Sequence, residues 1–148
     1  MNQSEPSVID RTAIKTREWI AEVDAELAEV VGAAPSRDHR PAYRALKAVL
    51  HTIRDRITVD EAAQLASQLP ELLRGAYYEN WVPSRTPERY RDVHSFLRRV
   101  ADRAGLAGET EASFVVPAVM EVLRRHISRG EIEDVLAGLP ADIRALLS

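Results

Sequence analysis

The sequence predicts an all-α protein in which two tandem pseudo-repeated four-helix units pack into one compact domain. Three observations support this fold class. Apolar residues recur at helical spacing, the second half of the chain repeats the first at a constant offset, and no useful length alternates between polar and apolar residues. We expect one domain over residues 1–148, with the two units at about 13–81 and 86–148.

The repeat is clearest when residues 48–78 are aligned without gaps on residues 118–148. Eight positions are identical, and several others exchange one apolar residue for another. The identical pairs are Ala48/Ala118, Val49/Val119, Arg54/Arg124, Ile57/Ile127, Glu61/Glu131, Leu69/Leu139, Pro70/Pro140 and Arg74/Arg144. Because both copies carry apolar stripes with helical periodicity, we expect them to fold in the same way.

Stripes, caps and turns together predict eight helices, four in each unit. The first unit has helices at about 13–31, 42–57, 59–69 and 70–79, and the second at about 88–105, 114–127, 129–138 and 140–147. In the first helix, Trp19, Ile20, Val23 and Leu27 form one apolar stripe. The connector at 82–89 joins the units, and the longer turn at 31–41 separates the first two helices.

Local signals place the helix ends. Thr58 with Glu61 has the S/T-x-x-E pattern of a capping box, in which hydroxyl and carboxylate each accept a backbone amide, and Ser128 with Glu131 repeats it. The prolines that follow the third helix of each unit suit a helix start, since the first position needs no amide donor. Thr86–Pro87 predicts the N-cap and first residue of the fifth helix.

Composition predicts a bacterial protein of the cytoplasm. The chain has a net charge of −3, no cysteine, and no apolar run near the roughly 20 residues that a membrane span requires. Its start lacks the pattern of a secretion or transit signal, and 18 Arg against two Lys suit a GC-rich genome. The negative charge argues against binding to nucleic acid or to an anionic membrane.

Half of the eight aromatic residues fall within residues 74–90, and we interpret this segment as the seam between the units. Tyr77 aligns with Leu147 in the repeat, so we expect it in the core, with Tyr78 less buried. Trp81 lies in the connector, where its indole N–H is expected to find a carbonyl. The candidate binding residues are Tyr78, Trp81 and Tyr90 at the seam, with Arg98 and Arg99 of the basic segment beside it. The favoured alternative for the two arginines is pairing with acidic groups of the same molecule, or a solvated helix face.

The sequence contains none of the common catalytic, nucleotide-binding or metal-binding motifs, so we predict no catalytic residue, cofactor or metal. His51 and Asp55 lie one helical turn apart, as two metal ligands would, but the repeat does not preserve them. We therefore expect a solvated helix face there. Glu79, Asp92 and His94 would form a general acid–base cluster only if the fold brought them together.

The chain resembles the bacterial domain-of-unknown-function 2267 family in three segments. These are residues 48–83, the FLRRV sequence at 96–100, and the second copy of the repeat, with its Leu-Pro at 139–140. The most specific stretch is LPELLRGAYYENW, from Leu69 to Trp81, and the resemblance covers roughly residues 16–147. It implies a helical fold and a cytoplasmic bacterial protein. It supplies no activity, cofactor or site residue.

Three functions stay open at this point. The leading hypothesis is a non-catalytic module that binds a protein partner. The alternative is a small-molecule-binding protein or enzyme with a pocket between the two units. Nucleic-acid binding is the weakest, because residues 70–81 would make a recognition helix with one Arg and two Glu. The sequence leaves oligomeric state and partner identity undetermined.

Overall fold

The computed structural model describes residues 7–148, which form eight α-helices and one short 3-10 helix and contain no strand. The helices are α1 (Val8–Val31), α2 (Arg40–Arg56), α3 (Val59–Ala66), α4 (Glu71–Tyr78), α5 (Val93–Ala104), α6 (Glu109–His126), α7 (Arg129–Ala137) and α8 (Ala141–Leu147), with the 3-10 helix at Pro83–Arg85. The all-α prediction is confirmed. Residues 1–6, part of the start that we predict to carry no targeting signal, lie outside the described residues.

The four long helices form the centre of the fold. α1 and α5 each pack against both α2 and α6, and α2 also contacts α6. The short helices are added around them: α4 lies on α1 and α2, α8 lies on α5 and α6, and α3 packs against α7. One hydrophobic cluster contains residues from all eight helices, so both halves of the chain contribute to it.

None of the helices in residues 7–148 combines the length and the apolar composition that crossing a bilayer requires. Even the 24-residue α1 carries charged residues along its whole length. Its N-terminus has a complete capping box between Ser7 and Asp10, and it ends at Gly32, whose φ of 70° is the left-handed conformation that glycine adopts most easily. The first helix therefore begins several residues before the predicted position.

The fifth helix begins later than predicted, at Val93. Its N-cap is Asp92, whose carboxylate accepts hydrogen bonds from the amide and the hydroxyl of Ser95 at 2.9 and 2.7 Å. The residues before it are held in an extended path, because the Glu88 amide donates to the Asp55 carbonyl at 2.7 Å. The prediction that Thr86–Pro87 starts this helix is wrong.

The predicted capping boxes of α3 and α7 are half correct. The hydroxyls of Thr58 and Ser128 accept the amides of Glu61 and Glu131, both at 3.2 Å. Neither carboxylate accepts a hydrogen bond from the amide of its N-cap residue. The Ser128 amide instead donates to the side-chain oxygen of Gln68 at 3.1 Å. Because α3 and α7 pack together, their glutamates face one another across the interface.

Two arginines make corresponding contacts in the two halves of the chain. Arg74 donates to the carbonyl oxygens of Ala66 and Leu69 at 2.9 and 3.0 Å. Arg144 donates through the same two nitrogens to the carbonyl oxygens of Leu136 and Leu139, both at 2.9 Å. Each guanidinium thereby binds carbonyl oxygens at, or just beyond, the C-terminal end of the helix before its own.

Candidate functional site

A pocket of about 560 Å³ lies between α1, α6 and the loop at residues 32–39. We call it the α1–α6 groove. Its lining is mainly aliphatic, and three large apolar side chains at it are strongly exposed. Val30, Val31 and Phe114 are 51%, 75% and 56% exposed. Exposure of three such residues around one opening is unusual for a surface that contacts only water.

The loop at residues 32–39 forms one wall of the groove because it is tied back to α1. Gly32 turns the chain away from the helix, and the Ala33 amide donates to the Ala28 carbonyl at 2.9 Å. At the other end of the loop, Nδ1 of His39 lies 3.0 Å from the carboxylate of the buried Asp24. These two contacts attach both ends of the loop to α1.

The charged side chains that line the groove among the described residues are Asp24, Asp38 and Glu111, and all three are acidic. Hydrogen bonds from Arg40 hold the pKa of Asp38 below its usual value, so this carboxylate is ionised at neutral pH. Glu111 accepts the amide of Ala107 at 2.9 Å. The groove therefore combines an apolar floor with negative charge, which favours an occupant carrying apolar and basic groups.

A second, shallow depression continues the groove along the start of α6. It shares Glu111 and Phe114 with the groove and extends over residues 107–110. Phe114 stands between the two depressions and contributes an exposed aromatic ring to both. The two depressions therefore adjoin, and together they offer room for a segment of polypeptide.

The seam aromatics lie elsewhere and pack mainly within the protein. Tyr77 is fully buried, and its hydroxyl donates to the Ala62 carbonyl at 2.7 Å, while Tyr78 remains exposed. Both burial expectations are confirmed. The rings of Tyr78 and Trp81 stack with centroids 5.4 Å apart, but the buried Nε1 of Trp81 has no hydrogen-bond partner. The expectation that this N–H finds a carbonyl is wrong.

Tyr90 and Arg99 also come together. The Arg99 guanidinium lies 4.0 Å from the centre of the Tyr90 ring and donates to Glu88 at 3.0 Å. Arg98 joins neither aromatic pair, because it donates to Glu109 at 3.2 Å. The five predicted binding residues thus form two separate pairs and one isolated arginine. Both arginines have acidic partners within the molecule, as the alternative interpretation expects.

A family model described as "Uncharacterized conserved protein (DUF2267)" matches residues 16–146, which is nearly the whole chain. The chain belongs to this family. The resemblance that we found from the sequence is therefore confirmed. None of the curated proteins compared with the chain matches it. The DUF2267 description names no activity, so the function of the site has to be inferred from its residues.

In this DUF2267 protein, His51 is buried instead of facing solvent. Its Nε2 donates to the Ala76 carbonyl at 2.7 Å, and burial lowers its pKa to about 4. Asp55 accepts hydrogen bonds from Arg54 and Arg103, both at 2.8 Å. The expected solvated helix face is wrong because α4 and α5 cover this part of α2. Neither residue is available as a metal ligand.

The three residues considered for acid–base catalysis have separate partners. Glu79 lies 3.4 Å from the Lys47 ammonium group. Asp92 caps α5, and His94 lies 2.7 Å from Glu109. General acid–base catalysis requires groups that converge on one reacting atom, and these three are engaged in different places.

One group of acidic side chains is close enough to share a bound ion among residues 7–148. Carboxylate oxygens of Glu61, Glu131 and Asp134 lie within 4.8 Å of one another. Glu61 and Glu131 stand in the first turns of α3 and α7, where the helix dipole favours negative charge and disfavours a cation. We therefore assign no metal to this cluster.

Proposed function

We propose that this protein is a non-catalytic interaction module whose α1–α6 groove holds an amphipathic helix of a protein partner. The observation that carries the proposal is the exposed apolar surface around Val30, Val31 and Phe114, whose charged lining residues are all acidic. An amphipathic helix buries its apolar face in such a groove and leaves its polar face in water. Basic residues beside that apolar face would meet Asp38 and Glu111.

A binding role is favoured over catalysis by the state of the charged groups in the groove. Asp24 is bonded to His39, Asp38 to Arg40, and Glu111 to a backbone amide. Their hydrogen bonds fix the loop and the start of α6, so they act as positioning groups, and Glu111, whose partner is a neutral amide, supplies negative charge. Apolar contact then supplies the affinity, at roughly 25 cal/mol for each Å² removed from water.

We also infer that the chain consists of two pseudo-repeated units within one domain, at about 13–81 and 86–148. The pattern of helix packing supports this, because exchanging α1–α4 with α5–α8 maps most of the helix contacts onto one another, including those of the four long helices. The matched bonds of Arg74 and Arg144 support it independently. Arg54 and Arg124 add a third correspondence, since they donate to the carbonyls of Tyr77 and Leu147.

On this inference, one wall of the groove is built from residues that have no counterpart in the second unit, whereas Glu111, Phe114 and Val115 of the second unit form the opposite wall. Trp19 corresponds to Phe96, so α1 continues for about one turn beyond the end of α5. That extra turn contains Val30 and Val31, and the loop after it covers residues 32–39, compared with 105–108 in the second unit. The groove is then an elaboration of one copy, as expected for a binding site added to a repeated scaffold.

The cytoplasmic location and the bacterial origin stay part of the proposal. They are supported by the lack of cysteine, the excess of arginine over lysine and the family resemblance. A cytoplasmic partner with an exposed amphipathic helix is consistent with both.

The experiment uses two-dimensional NMR of the labelled protein with a short synthetic helix that carries leucine on one face and lysine on the other. We expect chemical-shift changes for Val30, Val31, Phe114 and their neighbours at micromolar to millimolar peptide. A matched peptide with glutamate in place of lysine is expected to bind at least about tenfold more weakly, because the charge lining the groove is negative. The double variant Val31→Ser, Phe114→Ser is expected to abolish the shifts.

The matched control is Leu72→Ser, because Leu72 is a similarly exposed leucine on α4, outside the groove lining. This variant should bind the lysine peptide as the wild type does. If the peptide shifts only residues outside the groove, or if the lysine and glutamate peptides bind equally, the proposal is wrong.

A second candidate function is binding of a small apolar molecule with a basic group. The volume of about 560 Å³ favours it, since it lies within the range of pockets that hold small ligands. An alkylamine of medium chain length is a suitable probe in the same NMR experiment. Saturable binding of the alkylamine, combined with no response to the peptide, would replace the first function with the second.

A further inference from the structure

We propose that Glu61 and Glu131 share a single proton and that this proton makes a pH-sensitive link between α3 and α7. The proposal concerns a different part of the molecule from the α1–α6 groove and does not depend on it. In the linked state one carboxylic acid donates an O–H···O hydrogen bond to the other carboxylate. Loss of the proton leaves two negative charges facing each other in the interface.

The geometry places two carboxyl groups together without a compensating cation. Glu131 is only 5% exposed, and the Oε1 atoms of both glutamates are buried and lack a hydrogen-bond donor. None of the ion pairs within residues 7–148 involves either residue. Two adjacent buried carboxylates cannot both stay ionised at low cost, and a shared proton removes the repulsion.

The ends of α3 and α7 favour a proton over a metal ion as the shared group. Both glutamates follow their N-caps by three residues, so each lies beside the unsatisfied amides of a helix N-terminus. One residual negative charge on the protonated pair is stabilised there. A divalent cation would be repelled by both helix ends.

The other ionisable groups around the pair do not remove this need for a proton. Asp134, on the same helix as Glu131, adds a further negative charge. Tyr77 of α4 uses its hydroxyl to donate to a backbone carbonyl, and burial raises its pKa. Arg54 of α2 is committed to Asp55 and to carbonyls of the α4 end, and Arg144 of α8 to the carbonyls at the end of α7.

Burial is the largest of the causes that raise the pKa of Glu131 from 4.5 to about 8, and the hydrogen bond and charge of Glu61 are the next largest. A group whose pKa is higher in the folded state binds its proton more tightly there than in the unfolded chain. Its contribution to stability is therefore complete below about pH 4.5 and is lost as the pH rises through about 8. The link is strongest in mildly acidic conditions.

The test compares the wild type with Glu131→Gln by urea unfolding of the full chain, from about pH 5 to about pH 9 in the presence of EDTA. The glutamine amide donates to Glu61 at every pH. We expect the folding equilibrium constant of the wild type, relative to the variant, to fall by up to about tenfold per pH unit until about pH 8. Above that, the variant should be the more stable protein.

The matched control is Glu133→Gln, because Glu133 lies on the same helix but is exposed and paired with Arg129. This variant should keep the pH dependence of the wild type. If Glu131→Gln does not fold, the titration of the Glu131 carboxyl carbon by NMR in the wild type provides the same answer. A midpoint near the ordinary value of 4.5 would overturn the proposal. Stabilisation by added Mn²⁺ in the wild type and not in Glu131→Gln would overturn it in favour of a cation.

Discussion

Arg54 donates a hydrogen bond to the carbonyl oxygen of Tyr77 at 2.5 Å and thereby joins α2 to the end of α4. Its guanidinium is only 2% exposed, and it also donates to the Glu79 carbonyl at 2.8 Å. Arg124 makes the corresponding bond to the Leu147 carbonyl, but from an exposed position. The same contact therefore occurs at two depths, which separates the effect of burial from that of the bond itself.

We expect Arg54→Ala to lower the free energy of unfolding by about 3 kcal/mol, because it leaves buried carbonyls without a donor and removes a partner of Asp55. Arg124→Ala should cost about 1 kcal/mol, since water can replace the lost donor at an exposed site. Urea unfolding at neutral pH measures both values. Equal losses in the two variants would contradict the role given to burial.

Tyr77 and Tyr78 provide a second matched pair. Tyr77→Phe removes the hydroxyl that donates to the Ala62 carbonyl inside the core, so we expect a loss of about 1 kcal/mol. Tyr78→Phe changes an exposed residue whose hydroxyl is free to bind water, and its stability should equal that of the wild type. Thermal unfolding followed by circular dichroism detects the difference. A loss in Tyr78→Phe as large as that in Tyr77→Phe would refute this assignment.

His51 should destabilise the protein in acid. Its pKa is about 4 in the folded state and 6.5 in the unfolded chain, so the unfolded chain binds the proton more tightly. The advantage of the neutral ring is present above about pH 6.5 and is lost as the pH falls through about 4, with a total of about 3 kcal/mol. Relative to His51→Gln, the wild type should therefore lose stability over this range.

The difference between the wild type and His51→Gln reports on His51 alone. Glu131 changes stability with pH in the opposite direction, but it is present in both proteins and its contribution cancels. Urea unfolding at several pH values gives the difference directly. An imidazole that titrates near its ordinary pKa in the NMR spectrum would show that His51 is not buried as described.

Trp81 tests whether the seam depends on apolar contact or on a hydrogen bond. Its buried Nε1 has no partner, so Trp81→Phe removes a polar group that gains nothing from burial. We expect this variant to unfold within about 0.5 kcal/mol of the wild type, whereas Trp81→Ala should lose about 2 kcal/mol through lost packing. A large loss in Trp81→Phe would indicate that the indole N–H binds a group not identified here.

The helices could be predicted because their signals are local. The stripe from Trp19 to Leu27 and the Thr58 hydroxyl act within one helix, and both are found as expected. The S/T-x-x-E pattern places Glu61 in a capping box because the pattern contains residues of a single helix only. Its actual environment depends on Glu131, which is distant in sequence and approaches only when α3 and α7 pack together.

The groove could not be predicted, because it depends on where the loop at residues 32–39 lies after folding. One signal was nevertheless present. The stripe of α1 continues to Val30 and Val31, although the corresponding stripe of α5 stops at Ala104. On the proposed repeat, apolar residues of one copy that have no counterpart in the other indicate a surface that the shared helices do not cover.

The pairing of α1 with α6 and of α2 with α5 has a consequence during synthesis. When residues up to 81 have left the ribosome, the apolar faces of α1 and α2 have no later helix to cover them. Those faces stay uncovered in the nascent chain until α5 and α6 emerge. We therefore expect premature termination before about residue 105 to produce a product that binds chaperones and is degraded, instead of a smaller folded protein.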